Sequence, residues 1–135
     1  MLYKILTAIS ALLFIYLFNL LFFSSSTFLS DVGLPGNADA LFMGKRAAML
    51  MLGMAFFNIL GFQIIKPHLR VQFCLMITTV LVALGFLGLH ELDRGIVNEG
   101  IMTAVYVEFT LAGLFVIAAA SSLKGYLASQ IGPAD

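Results

Sequence analysis

The chain is 135 residues long, 61% of them are hydrophobic and 10% are charged, and the mean hydropathy is +1.06. Soluble domains carry about 25% charged and roughly 45–50% apolar residues, so this composition excludes a globular domain dissolved in water and predicts a protein surrounded by lipid. Seven Lys and Arg residues balance seven Asp and Glu residues. This balance leaves no basic field for a phosphate backbone and argues against nucleic acid as a partner.

Four long apolar segments predict an all-α integral membrane bundle with up-down-up-down topology and short loops. A helix satisfies its own backbone hydrogen bonds in lipid, and it needs about 20 apolar residues to cross a hydrocarbon core of about 30 Å. Segments of that length run over residues 4–23, 41–65, 69–89 and 100–123. We therefore expect one domain, residues 1–135, with these four transmembrane helices in contact with membrane lipids.

The first segment could be a retained transmembrane helix or a cleaved signal peptide, because both are apolar. Lys4 precedes it and a run of serines follows it, as in a signal peptide. The apolar core of such signals is however only about 7–15 residues long, and no Ala-x-Ala site follows the segment here. The sequence therefore favours a retained helix.

The predicted connections are unequal in length. Residues 24–40 and 90–99 form the two longer loops, and Asn37 lies where it could cap the second helix. The turn at Lys66-Pro67-His68 is short, because proline withholds a backbone donor and keeps its predecessor out of the helical region. We expect this turn to join helices two and three as an antiparallel hairpin.

Four basic residues fall on one side of the predicted bundle and three on the other, and this difference orients the chain. The first side carries Lys4, Lys66, Arg70 and Lys124, and the second carries Lys45, Arg46 and Arg94. Cytoplasmic loops are enriched in Lys and Arg. We therefore expect both termini in the cytoplasm and the two longer loops outside.

Glu108 is the main candidate for function, because it is the single charge within the fourth helix. Counting about 20 residues back from the inner end of that helix places Glu108 about 6 Å below the outer membrane boundary. A carboxylate at that depth needs either a partner or a proton.

Three other polar residues are expected at the same depth as Glu108. Arg46 lies near the outer end of helix two, and Asn19 and Tyr16 lie near the outer end of helix one. One interpretation is a binding site for a polar headgroup or small amphiphile. Another is an ion pair between Arg46 and Glu108 that fixes helix two against helix four, and a third is independent extension of both side chains to the interface.

The sequence identifies no cofactor and predicts no metal site. His68 and His90 flank helix three, and 22 residues of helix separate them by about 33 Å, so one haem cannot use both. The single cysteine, Cys74, excludes an internal disulfide and a thiolate cluster. The methionines lack a His or Cys partner and a regular repeat, which indicates packing rather than ligation of a soft metal.

No motif of a known enzyme class is present, since nucleophile elbows, phosphate loops and paired carboxylates are all missing. The sequence therefore favours a non-catalytic membrane protein, either an accessory or structural subunit of a larger membrane complex or a homo-oligomer. The alternative is binding or transport of a small amphiphile, such as a lipid or quinone, at a polar site in the outer leaflet. A membrane enzyme acting on a lipid is a third hypothesis.

The order of short motifs resembles a bacterial family of small four-helix membrane proteins of unknown function, distantly DoxX-like. The matching residues are the Gly33-Leu34-Pro35 turn, Arg46 early in helix two, Gly53, and Glu108 early in helix four. Ala47-Ala48-Met49 stands where the family has Tyr-Gly-Gly. The resemblance implies that Arg46 and Glu108 belong together and that the membrane is a bacterial inner membrane, but it implies no activity.

Overall fold

The protein is a bundle of four long helices with two short helical segments at one end. A computed structural model describes residues 2–130, with side chains from residue 2 to residue 127. The elements in chain order are α1 (Leu2–Phe23), α2 (Ser25–Asp31), α3 (Ala38–Phe62), α4 (Pro67–Asp93), a 3-10 turn (Glu99–Ile101) and α5 (Met102–Gln130). We call the end that carries α2 and the 3-10 turn the α2 end.

The helices α1, α3, α4 and α5 are each long and apolar enough to cross a membrane. The shortest, α1, has 22 residues and is therefore about 33 Å long, against about 30 Å for the hydrocarbon core. The exposed faces of all four helices carry large apolar side chains, as expected where lipid is the solvent. The all-α integral membrane bundle predicted from the sequence is confirmed.

The four helices pack as two antiparallel pairs, α1 with α3 and α4 with α5. In the first pair, the hydroxyl of Tyr3 at the start of α1 donates to the carbonyl of Gly61 at the end of α3, at 2.6 Å. In the second pair, Gly85 of α4 lies against the ring of Phe109 from α5. Small residues let these backbones approach closely, which matters in lipid because no hydrophobic effect drives helices together.

The hairpin predicted for α3 and α4 is present as a short turn, but these two helices are not a closely packed pair. Pro67 begins α4, and its position explains the sharp turn because its ring suits the first position of a helix. Above the turn, the rings of Phe57 and Phe73 are stacked at 5.0 Å between the two helices. These bulky rings hold the α3 and α4 backbones apart.

Large side chains at the centre of the bundle join the two pairs. The largest apolar side chains that are fully buried are Phe14 from α1, Ile77 and Leu81 from α4, and Phe115 from α5. Ala55 of α3 belongs to the same core cluster, so all four long helices contribute to it. This core holds the pairs together where their backbones are too far apart for close packing.

The helix α2 differs from the sequence prediction, which placed a loop over residues 24–40. Leu29 and Val32 are buried, so one apolar face of this short helix packs onto the bundle. The last residue of the helix is Asp31, and Gly33, whose φ is 80°, follows two residues later. The amides of Gly33 and Leu34 bond back to the carbonyls of Ser30 and Leu29, which is the pattern of a Schellman motif with glycine in the left-handed position.

Apart from the end of α5, the remaining boundaries follow the sequence within a few residues. Asn37 caps α3 as expected, because its side-chain oxygen accepts from the amide of Ala40 at 2.8 Å. The helix α3 stops at Phe62, three residues short of the predicted end, and α4 extends to Asp93. The fourth long helix, α5, continues beyond the predicted residue 123, since polar and charged residues are compatible with helix outside the hydrocarbon core.

Candidate functional site

A cavity of about 300 Å³ lies at the α2 end between the two helix pairs. We call it the α1/α5 cavity. Its walls come from α1, α2, the 3-10 turn and the start of α5, and it is lined by Leu13, Tyr16, Leu17, Leu20, Phe28, Asp31, Val32, Gly100, Ile101, Thr103, Ala104, Val107 and Glu108. The cavity exists because α1 packs on α3 and α5 packs on α4, which leaves little close contact between α1 and α5.

The helix α2 and the 3-10 turn close the cavity at the end of the bundle. The amide of Asn98 donates to the carbonyl of Val32 at 2.9 Å, which ties the segment before the 3-10 turn to the end of α2. Gly100 lies directly on the backbone carbonyl of Asp31, where a side chain would overlap that oxygen. The lack of a side chain at Gly100 therefore lets the two segments meet.

The polar residues of the cavity come from three different elements. Glu108 and Thr103 lie on α5, Tyr16 lies on α1, and Asp31 is the last residue of α2. Glu108 is half-buried, and among the side chains of residues 2–127 its carboxylate has no ion-pair partner. The rest of the wall is almost entirely apolar, so the cavity joins a hydrocarbon surface to a few polar groups.

Two of the four candidate residues from the sequence, Tyr16 and Glu108, line this same cavity. Asn19 lies elsewhere on α1, where it is exposed and its amide group donates to the carbonyl of Ile15 at 2.9 Å. Glu108 and Tyr16 therefore lie around one volume, as expected from their similar predicted depth. Depth alone does not determine which face of α1 points to the cavity.

Arg46 and Glu108 are not brought together. The guanidinium of Arg46 lies over the ring of Phe42, 5.8 Å from its centroid, on an exposed face of α3. Among the side chains of residues 2–127, the ion pair that does form joins Arg94 to Glu91, with 3.2 Å between the guanidinium nitrogen and the carboxylate oxygen. Because α3 packs mainly on α1 whereas α5 packs mainly on α4, α3 and α5 are not a closely packed pair, and the ion pair considered from the sequence is not formed.

Asp31 and Thr103 are cavity residues that sequence reasoning missed. Asp31 was assigned to a loop, so its side chain had no predicted position. A usable signal was present, because Phe28, Leu29 and Val32 follow the spacing of one helical face. Recognising a helix there would have placed Asp31 next to the α2 end of the bundle.

A second gap, of about 410 Å³, separates α3 from α4. Its lining is apolar apart from Thr79, and the other lining residues are Met54, Phe57, Met76, Ile77 and Val80. The Thr79 hydroxyl donates to the carbonyl of Leu75 in its own helix, at 2.9 Å. This gap offers nothing to orient a ligand, so the α1/α5 cavity is the better candidate site.

No group of three or more His, Cys, Asp or Glu side chains that could hold a metal occurs among the described residues. His68 and His90 lie near opposite ends of α4. The ring of His68 is 6.1 Å from that of Tyr126, which places this histidine beside the end of α5.

Comparisons with protein-family models, with curated proteins and with solved structures find no match to this chain. The DoxX-like resemblance therefore stays a prediction.

Proposed function

We propose that this chain is a non-catalytic integral membrane protein that binds a small amphiphile, of the lipid or quinone type, in the α1/α5 cavity. The observation that carries the proposal is the combination of apolar walls with the carboxylates and hydroxyls of the same cavity. Ligand sites are typically concave and mostly apolar, with a few polar groups that fix the orientation of the ligand. This cavity has that composition.

The depth of the polar groups suits a ligand that lies in one leaflet. Glu108 is six residues into α5, which is about 9 Å along the helix axis. Tyr16 is seven residues from the end of α1, or about 10 Å. A headgroup at this level would lie just inside the hydrocarbon region, with its chain along the α1 and α5 walls.

The orientation expected from the basic residues puts both termini in the cytoplasm and this cavity in the outer leaflet, and the DoxX-like resemblance implies that the membrane is a bacterial inner membrane. A ligand would then enter sideways from the outer leaflet between α1 and α5. The half-buried carboxylate of Glu108 favours such a ligand, because a carboxylate in a membrane is costly until a donor or a cation meets it.

Filling the cavity should remove the ligand. Ala104 lines the cavity, so phenylalanine at this position would occupy the volume of the ligand chain. Ala120 of the same helix is exposed and away from the cavity, and Ala120→Phe is the matched control. In native mass spectrometry after extraction in mild detergent, we expect a retained amphiphile with the wild type and Ala120→Phe and none with Ala104→Phe. Equal retention by all three proteins would contradict the proposal.

A second candidate is an accessory subunit of a larger membrane complex, or a homo-oligomer, that packs through α3. Only 11% of the most apolar stretch of α3 is buried within the chain, against 28% or more in the other three long helices. Gly53 on this helix is exposed, with open space where a side chain would be. A partner helix could approach closely there.

The subunit hypothesis predicts a second polypeptide, or a second copy, that co-purifies at fixed stoichiometry. Gly53→Ile should abolish this association, because a branched side chain would fill the point of closest approach. Gly113→Ile is the control, since Gly113 on α5 is also exposed with open space around it. Native mass spectrometry that finds only a free monomer for the wild type would argue against this hypothesis.

A further inference from the structure

The charges of the α1/α5 cavity are one-sided. The exposed Asp31 at the end of α2 and the half-buried Glu108 of α5 line it, and no Lys, Arg or His is among its lining residues. The two acidic residues are far apart in sequence and on different elements, so the fold itself places them around one volume. An amphiphile with a negative headgroup would meet both carboxylates without a compensating cation.

None of the three basic residues at the α2 end, Lys45, Arg46 and Arg94, lines the cavity. Arg94 is bonded to Glu91 at 3.2 Å, and Arg46 lies over the ring of Phe42. Neither Asp31 nor Glu108 has an ion-pair partner among the side chains of residues 2–127. The chain therefore supplies acceptors in this cavity and leaves the matching positive charge to a ligand.

Tyr16 adds to the preference for a cation. Its side chain lines the same cavity, and an aromatic ring attracts an ammonium group through its electron-rich face. An alkylammonium group also has donors that a carboxylate accepts. In a membrane, where the effective dielectric constant is low, the attraction between opposite charges is stronger than in water.

The size of the cavity limits the hydrocarbon part of the ligand. Its volume of about 300 Å³ is at the lower end of the roughly 300–1,000 Å³ typical of ligand pockets. Such a volume suits a headgroup with one chain better than a lipid with two chains. We infer that the α1/α5 cavity binds a single-chain amphiphile with a cationic amine headgroup, an inference that rests on the function proposed above.

The test compares three probes that share one chain and differ in charge. Dodecylamine, dodecanol and dodecanoate are each titrated into the wild-type protein in nanodiscs of zwitterionic phosphatidylcholine at neutral pH, where a primary amine is protonated. Binding is measured by native mass spectrometry, with Ala104→Phe as the control for partitioning into the lipid. We expect dodecylamine to bind at least tenfold more tightly than dodecanol, and dodecanoate to bind most weakly.

Neutral variants identify the charges responsible. Glu108→Gln and Asp31→Asn change little volume, and each should weaken dodecylamine binding about tenfold while weakening dodecanol binding by much less. Asp39→Asn is the matched control, because Asp39 is an exposed acidic residue at the same end that does not line the cavity. Circular dichroism tests whether each variant is folded. Because the two substitutions lie on different helices, the second variant still tests the inference if the first does not fold.

The outcomes separate the two proposals. If the wild type binds dodecanol as tightly as dodecylamine and Ala104→Phe loses both, the cavity binds amphiphiles but the cationic preference is wrong. Tighter binding of dodecanoate, or an equal loss with Asp39→Asn, would also overturn the cationic preference. If the wild type binds none of the three probes more tightly than Ala104→Phe does, both the proposed amphiphile binding and the cationic preference are wrong.

Discussion

Replacing Gly61 by alanine should destabilise the bundle by about 1–3 kcal/mol, the usual effect of overpacking a close contact. A methyl group at this position would overlap the ring of Phe73. That ring cannot easily move, because it is stacked on Phe57 at 5.0 Å and meets the ring of Tyr3 edge-on at 5.9 Å. The hydroxyl of Tyr3 also bonds to the Gly61 carbonyl, so a shift of α3 would break this link between helices.

Gly53→Ala is the control for this experiment. Gly53 lies on the same helix but has open space around it, and alanine favours helix over glycine by about 1 kcal/mol. We therefore expect Gly53→Ala to be neutral or slightly stabilising. Unfolding in mixed micelles, followed by circular dichroism, measures both variants. If Gly61→Ala were as stable as Gly53→Ala, the close approach of Phe73 to α3 would be wrong.

The substitution Phe73→Leu provides a further check on the contact between Gly61 and Phe73. A double variant, Gly61→Ala with Phe73→Leu, replaces the ring by a smaller side chain and makes room for the added methyl group. The double variant should lose less unfolding free energy than the sum of the losses in the two single variants, since the effects of substitutions at residues in direct contact are not additive. Simple additivity would mean that the two residues do not touch.

Phe115→Ala should destabilise the protein by about 2 kcal/mol, less than the roughly 3–5 kcal/mol typical of water-soluble proteins. Phe115 is 0% exposed, so its removal leaves a void in the core that joins the helix pairs. In a membrane the separated helices remain in lipid, so the transfer from water adds nothing and only the lost packing counts.

Phe56→Ala removes the same atoms from the surface of α3, where Phe56 is 60% exposed. Lipid can fill the space that this change leaves, so we expect an unfolding free energy close to that of the wild type. The same mixed-micelle titration compares the two alanine variants. An equal loss for Phe56→Ala and Phe115→Ala would argue that the centre of the bundle is not packed as described.

Hydropathy predicted the four long helices because length and apolar composition are sufficient to identify a membrane span. The cap at Asn37 and the turn at Pro67 were also readable, since both depend on chemistry within a few residues. The helix α2 was not predicted because it is only seven residues long, which is far too short for hydropathy to identify it as a membrane span. Its apolar spacing was a weaker signal than the serines around it.

The choice of neighbours among the helices could not be predicted. The long helices are apolar on all sides, so periodicity does not identify the face that meets another helix. Counting residues placed Glu108 and Tyr16 at one depth, and both line one cavity. It also placed Arg46 at that depth, but α3 packs against α1 and not against α5. Depth is a one-dimensional property, whereas pairing requires the arrangement of helices in the plane of the membrane.

The pairing of consecutive long helices has a consequence for biosynthesis. The helices α1 and α3 precede α4 and α5 in the chain, so they leave the ribosome before them. Each pair makes its main contacts within itself, so the first pair can assemble while the second is still being translated. The main tertiary contacts therefore join consecutive long helices. The helices α1 and α3 therefore do not have to remain without their main contacts until α4 and α5 have been synthesised.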